Sequence, residues 1–124
     1  MPTVVHFDLP ADDTSRARKF YSSLFPDWKF EKYPGAVDFH LIQTTDLEGK
    51  PGVGGGLGKR MKPDQRMTPY FGVKDLDATL AKLQQIGGSV ILPRMAVPKF
   101  GYMAVCMDTE NNTFGLWQAD PGAE

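Results

Sequence analysis

His6 and Asp8, two residues apart in VVHFDLP, are the side chains best suited to chemistry. On an extended strand that spacing puts both on one face, about 6.5–7 Å apart at the backbone. An imidazole beside a carboxylate is a general-base pair, with the carboxylate orienting the ring or sharing a ligand with it. The structural counterpart is a histidine–aspartate hydrogen bond that only closes a strand end. His40 is the other histidine, and neither has a helical or short-range partner at metal-ligand spacing. Cys106 is the one cysteine; in the apolar run YMAVCMD it reads as a buried, inert thiol.

Other patterns fail on inspection. The glycine run Gly52–Gly58 is not a phosphate loop: Lys59 is followed by Arg60, Val53 stands where the first glycine belongs, and no helix follows. Glycines in a strand mark instead a bulge or a close approach by another group. DTENN at 108–112 lacks the central glycine and terminal glutamate of a calcium loop. No serine sits in a nucleophile elbow, and no paired-carboxylate site stands out.

The elements that position His6 and Asp8 follow from periodicity. Val4–Leu9 alternates, with Val5, Phe7 and Leu9 on one face and Val4, His6 and Asp8 on the other, and Pro10 ends the strand. Asp12, Asp13 and Thr14 start a helix to about Leu24, with an apolar stripe of Ala17, Phe20, Tyr21 and Leu24. Strands are expected at 28–33, 36–44 and 53–59. The plan repeats after a polar link at 62–66. A strand at 68–73 is followed by a helix capped by Asp75, with Leu76, Leu80 and Leu83 on its stripe and Ile86 near its end, then strands at 89–92, 102–107 and 113–118. Residues 93–101 read as a loop.

Superposing Asp13 on Asp75 places Phe20-Tyr21 over Lys82-Leu83 and His6 over Thr68. The order is β-α-β-β-β twice, so the fold class is α+β, with one domain over 1–124 made of modules at about 3–60 and 67–119. The 14 basic and 15 acidic residues leave a net charge of −1, with no electrostatic footprint for nucleic acid or an anionic membrane. No signal segment or membrane-length apolar run is evident, so a cytoplasmic location is expected.

HFDLPADDTSRARKFYSSLF, the doubled order and the closing DTENNTFGLWQ resemble the vicinal-oxygen-chelate superfamily of glyoxalase I, bleomycin-resistance proteins and extradiol dioxygenases. They most resemble its branch of small proteins related to lactoylglutathione lyase. The resemblance covers nearly the whole chain and is specific for the superfamily rather than for an activity. It implies two βαβββ modules forming an open, U-shaped barrel, and a homodimer. In metal-using members the ligands come from the first and last strands of each module. His6 matches. Thr68 replaces the usual histidine, Gly115 replaces the usual glutamate, and 53–58 offers neither carboxylate nor imidazole.

A divalent ion needs about four good donors, or three plus solvent. With three of four positions unmatched, no metal or other cofactor is expected, and glyoxalase I and extradiol dioxygenase activity are argued against. The resemblance places Thr68, Tyr70, Gly72, Thr113, Gly115 and Trp117 on the inward face of the second module. The glycines are expected to leave room, giving a cavity between the modules in which Tyr70 and Trp117 wall a small, flat organic ligand and His6 and Asp8 orient it. Two rival expectations stand beside this binding protein: a lyase or isomerase with His6 as general base, and a structural dimer with a filled core.

Overall fold

The computed structural model describes residues 2–124, which divide into two compact units. One comprises His6–Met67. The other comprises Thr68–Glu124 with the residues up to Val5.

In the first unit, alternation in β1 (Val4–Ala11) sends Phe7, Leu9 and Ala11 to one side and His6 and Asp8 to the other. Asp13 caps α1 (Thr14–Leu24), its carboxylate accepting from the Arg16 N–H at 3.0 Å. A short acceptor at this position satisfies a donor that the first turn leaves without a partner. Then come β2 (Lys29–Lys32), β3 (Phe39–Gln43) and β4 (Gly54–Lys59), in the sheet order β2-β3-β4-β1. β1 runs parallel to β4, and the other pairs are antiparallel. Leu9, Ala11, Ile42 and Leu57 form the core, and Ala17, Tyr21, Trp28 and Phe30 pack on it.

The second unit repeats the plan. β5 (Thr68–Gly72) leads to α2 (Leu76–Gln85), capped by Asp75, which accepts from the Ala78 N–H at 3.0 Å. β6 (Ser89–Val97), β7 (Gly101–Met107) and β8 (Thr113–Ala119) follow, in the order β5-β8-β7-β6 with β5 parallel to β8. Its core is Leu76, Ala104, Cys106 and Leu116, with Phe71, Leu80, Leu83 and Phe114 against it. Burial pushes the Cys106 thiol above its usual range, which keeps it protonated and unreactive. The chain is thus a βαβββ repeat with mixed sheets. Among the described residues no helix is long and apolar enough to cross a membrane.

Some expectations change. Pro10 does not end β1, which runs one residue further. Phe20 and Leu24 are not on the buried stripe of α1: Phe20 is 59% exposed and Leu24 is exposed too. Thr14 is buried and Ala17 and Tyr21 pack on the core, while Phe20 is turned about 100° from Tyr21. The strand expected from Ala36 begins at Phe39, because the Tyr33 N–H bonds to the Phe39 carbonyl and closes 34–38 into a turn. The segment 93–101 is largely strand: β6 continues to Val97 across register shifts between Val90 and Met95. Those irregularities accommodate Pro93, which has no N–H for the ladder, on the outer strand of its sheet.

Leu57 is completely buried, so Leu57→Ala is expected to cost about 2–5 kcal/mol in urea unfolding, whereas Phe20→Ser stays within about 0.5 kcal/mol. Asp13 and Asp108 are held below the ordinary value of 3.8, first by backbone N–H groups: that of Arg16 on Asp13 and that of Asn112 on Asp108. Carboxyl groups lowered in the fold stabilise it above their unfolded pKa, and that contribution is lost as pH falls through the lowered values. Asp108→Ala should therefore lower the Tm at about pH 7 and shrink the fall in Tm between about pH 5 and pH 2.

Candidate functional site

β1 and β4 pair so that His6 faces Gly54, Asp8 faces Gly56 and Pro10 faces Gly58. Partners in such a ladder share a face, so this side of the first unit carries the imidazole and carboxylate above a strip without side chains. His6 Nε2 lies 2.7 Å from Asp8 Oδ1, and each side chain is 31% exposed. In the neutral ring, Nε2–H donates to the carboxylate and the lone pair sits on Nδ1.

The strip is not open space. A Cβ on Gly56 would strike the Phe39 ring and come within 2.7 Å of Asp8 Oδ1. One on Gly58 would also press on Phe39, and one on Gly55 would strike the Phe7 ring on the opposite face. Close approach explains Gly55, Gly56 and Gly58, where aromatic rings make it, and Gly52, where the Thr44 hydroxyl does. Beside it lies a cavity of about 240 Å³, bordered by Asp8, Asp38, Phe39, Lys59, Met61 and Gln65. Lys59 Nζ donates to the Asp12 carbonyl, and the Gln65 side-chain oxygen accepts from the Met61 N–H, so part of this rim is held in place.

Sequence reasoning missed a second polar cluster. Asp38 accepts from the Thr14 hydroxyl at 2.9 and 3.1 Å, and His40 Nε2 lies 3.3 Å from Asp38 Oδ1. Among the described residues, the buried Nδ1 of His40 has no hydrogen-bond partner. The pattern Asp38-x-His40 is the reverse of His6-x-Asp8, and that spacing was the available signal.

The second unit groups its expected residues on one face. Tyr70 pairs with Gly115 and Gly72 with Trp117, while Phe71 and Leu116 face the core under α2. Gly115 does not leave a vacancy: a Cβ there would collide with the Tyr70 ring, and Tyr70 is only 5% exposed. Thr68 is also buried. The Trp117 ring lies on Gly101 in the same way.

These residues do not fit a divalent-metal site. The first unit contributes the His6–Asp8 pair, already joined to each other. At the matching positions the second unit contributes a threonine hydroxyl and a glycine covered by a ring. No group of three His, Cys, Asp or Glu side chains able to hold an ion occurs among the described residues.

No family model matches the chain. A glyoxylase-like domain-containing protein of Didymella fabae is 32% identical over 116 residues, spanning 88% of this chain and 88% of its own. The chain belongs to the vicinal-oxygen-chelate superfamily, the glyoxalase/bleomycin-resistance/dioxygenase group. CFP32, a candidate glyoxylase of Mycobacterium tuberculosis (strain CDC 1551 / Oshkosh), is 31% identical over 118 residues. The match takes in 91% of this chain but 44% of CFP32, so the chain spans about half the length of that relative. A glyoxalase/bleomycin resistance protein/dioxygenase superfamily member from Vibrio splendidus 12B01 superposes with a TM-score of 0.65 at 13% identity, over 97% of this chain and 100% of the other. That likeness is one of fold.

In this vicinal-oxygen-chelate protein, the ring-covered glycines give a direct test. Gly115→Ala should destabilise the protein by about 1–3 kcal/mol through overpacking against Tyr70. In the Tyr70→Ala background the same change should cost less than about 0.5 kcal/mol, read as a double-mutant cycle by urea unfolding.

Proposed function

We propose that this vicinal-oxygen-chelate protein binds a small organic molecule on the inner face of its first module, with His6 and Asp8 as the polar anchor. The observation that carries the reading is the 2.7 Å contact between His6 and Asp8, of which Asp8 borders a cavity walled by Phe39 and Met61. An apolar wall with a few fixed polar groups suits a small ligand, since area supplies affinity and the polar groups fix orientation. Trp117 is retained as a proposed contact surface of the second module. Thr68, Tyr70 and Gly115 are proposed to support that surface by packing, because the Tyr70 ring is engaged on Gly115.

The same contact favours a second reading, a lyase or isomerase related to lactoylglutathione lyase. Asp8 holds the imidazole through Nε2, which turns Nδ1 into the basic nitrogen of a neutral ring. A homodimer is part of the proposal as well; exposed Phe20, Leu24 and Phe25 on and just beyond α1 supply apolar surface for one.

The test is a thermal-shift screen of small organic compounds against the intact protein, repeated with His6→Gln, Asp8→Asn and Trp117→Ala. The expected result is a stabilising compound whose shift is lost in Asp8→Asn. Retention of every hit in both His6→Gln and Asp8→Asn would remove these residues from the site, and the lack of any hit would favour the structural dimer. Hits are then incubated in D₂O. Exchange of a carbon-bound ligand proton with wild type but not with His6→Gln selects the enzyme reading, and no exchange selects binding alone.

A further inference from the structure

The two modules can be compared position by position by superposing their capping aspartates, Asp13 and Asp75. The last turns of α1 and the residues after it then correspond to those of α2. Ala17, Phe20, Tyr21 and Leu24 fall on Thr79, Lys82, Leu83 and Ile86, and Phe25 and Pro26 fall on Gly87 and Gly88.

In the first module this region is filled by rings. Tyr21 stacks on Trp28 at 5.4 Å between centroids, Phe25 lies 4.8 Å from Trp28, and Phe20 meets Tyr21 edge-on at 5.2 Å. In the second module the counterparts of Phe20, Tyr21 and Phe25 are Lys82, Leu83 and Gly87, and the ring that borders this region is Phe114 of β8, which meets Phe71 edge-on. What stands there is a cavity of about 290 Å³. Leu83, Ile86, Phe114 and Leu116 give it an apolar lining, with Lys82, Thr79 and Thr109 among its polar groups.

Charge narrows the choice of occupant. The Lys82 ammonium, at the position of Phe20, makes no ion pair among the described residues. Asp108 also borders the cavity, but its oxygens are committed to its own turn: Oδ1 accepts from the Glu110 and Asn112 N–H groups and Oδ2 from the Asn112 side chain. The Thr79 hydroxyl donates to the Asp75 carbonyl and the Thr109 hydroxyl to Glu110. Lys82 is therefore the polar group left to receive an anion. A volume at the lower end of ligand pockets limits the occupant to one or two rings.

We propose that the cavity between α2 and β8 is a second ligand site, which takes a small aromatic monocarboxylate. Its ring replaces the stack that the first module builds from its own side chains, and its carboxylate meets Lys82. This site lies wholly within the second module and does not depend on the His6–Asp8 reading.

The probe is 3-phenylpropionate, titrated into the intact protein and followed by methyl and amide NMR. The expected result is saturable binding with a Kd on the order of 1 mM or below, with shifts at Leu83, Ile86 and Leu116. Lys82→Gln should weaken it about threefold to fivefold while leaving the neutral amide, 3-phenylpropionamide, unaffected. Leu83→Tyr restores the residue found at Tyr21, so it should abolish binding of both probes and raise the Tm. The proposal is overturned by no saturable shift in wild type, by shifts centred on the first module, or by equal weakening of acid and amide in Lys82→Gln. Lys82 is exposed on a helix surface, so that variant decides the question even if Leu83→Tyr fails to fold.

Discussion

A ring lying on a glycine of a neighbouring strand is the contact on which the helix-free sheet face of each unit depends. Phe39 covers Gly56 and Gly58, and Tyr70 covers Gly115. Glycine weakens a strand, because it loses much entropy on ordering and offers nothing to pack. An aromatic ring laid across it restores buried area and shields the ladder from water. The arrangement is exclusive, since any side chain added at those positions must displace a ring. In the second module Gly115, where the family resemblance implies a carboxylate in metal-using members, is among them. The missing donor is thus tied to the packing of the sheet, and a glutamate introduced at Gly115 would meet the Tyr70 ring before it could meet an ion.

The two modules solve the same local problems with different residues. Each helix begins with an aspartate accepting from the third N–H beyond it, and each buries the next residue, Thr14 in one and Leu76 in the other. The buried hydroxyl of Thr14 needs a partner and finds the Asp38 carboxylate. Leu76 needs none for its side chain, and its backbone N–H is taken by the Gln118 side-chain oxygen at 2.8 Å. Behind the helices the difference grows. Under its helix the first module packs Tyr21 and Trp28, where the second packs Leu80 and Leu83, with Phe71, Tyr102 and Phe114 supplied by its strands. A shared backbone plan with unequal side-chain volume is what leaves the cavity beside α2.

Most of the fold was legible because its signals are local. Alternation at Val4–Leu9, aspartate caps and turn residues identify elements without reference to tertiary contacts. Where the reading failed, the deciding contact was distant in sequence or spread over many pairs. Phe20 and Tyr21 look equally apolar, and only the placement of the core selects Tyr21. Pro93 reads as a loop residue, yet an outer strand tolerates it with a shifted register. The candidate site was half legible. His6 and Asp8 were found from their spacing, but whether Gly115 leaves a vacancy depends on where the Tyr70 ring goes, and no periodicity reports that. Asp38 and His40 carried the same spacing in reverse, but an expected strand start at Ala36 hid the turn that brings Asp38 to Thr14.

The two histidine–aspartate pairs show why spacing alone does not specify chemistry. The His6 and Asp8 side chains each remain 31% exposed, beside a strip of glycine. His40 turns the other way. Its register partners are Leu57 and Lys32, its neighbour Ile42 is part of the core, and its Nδ1 is enclosed. The carboxylate of Asp38 is already claimed by Thr14, so recruiting it would uncover a buried hydroxyl near the start of α1. A buried polar group deprived of its partner costs more than an exposed contact returns. Disturbing the second pair would therefore unsettle the helix, while the first is the more exposed of the two at its histidine. Exposure and prior commitment, rather than residue type, separate a candidate site from a structural hydrogen bond in this chain.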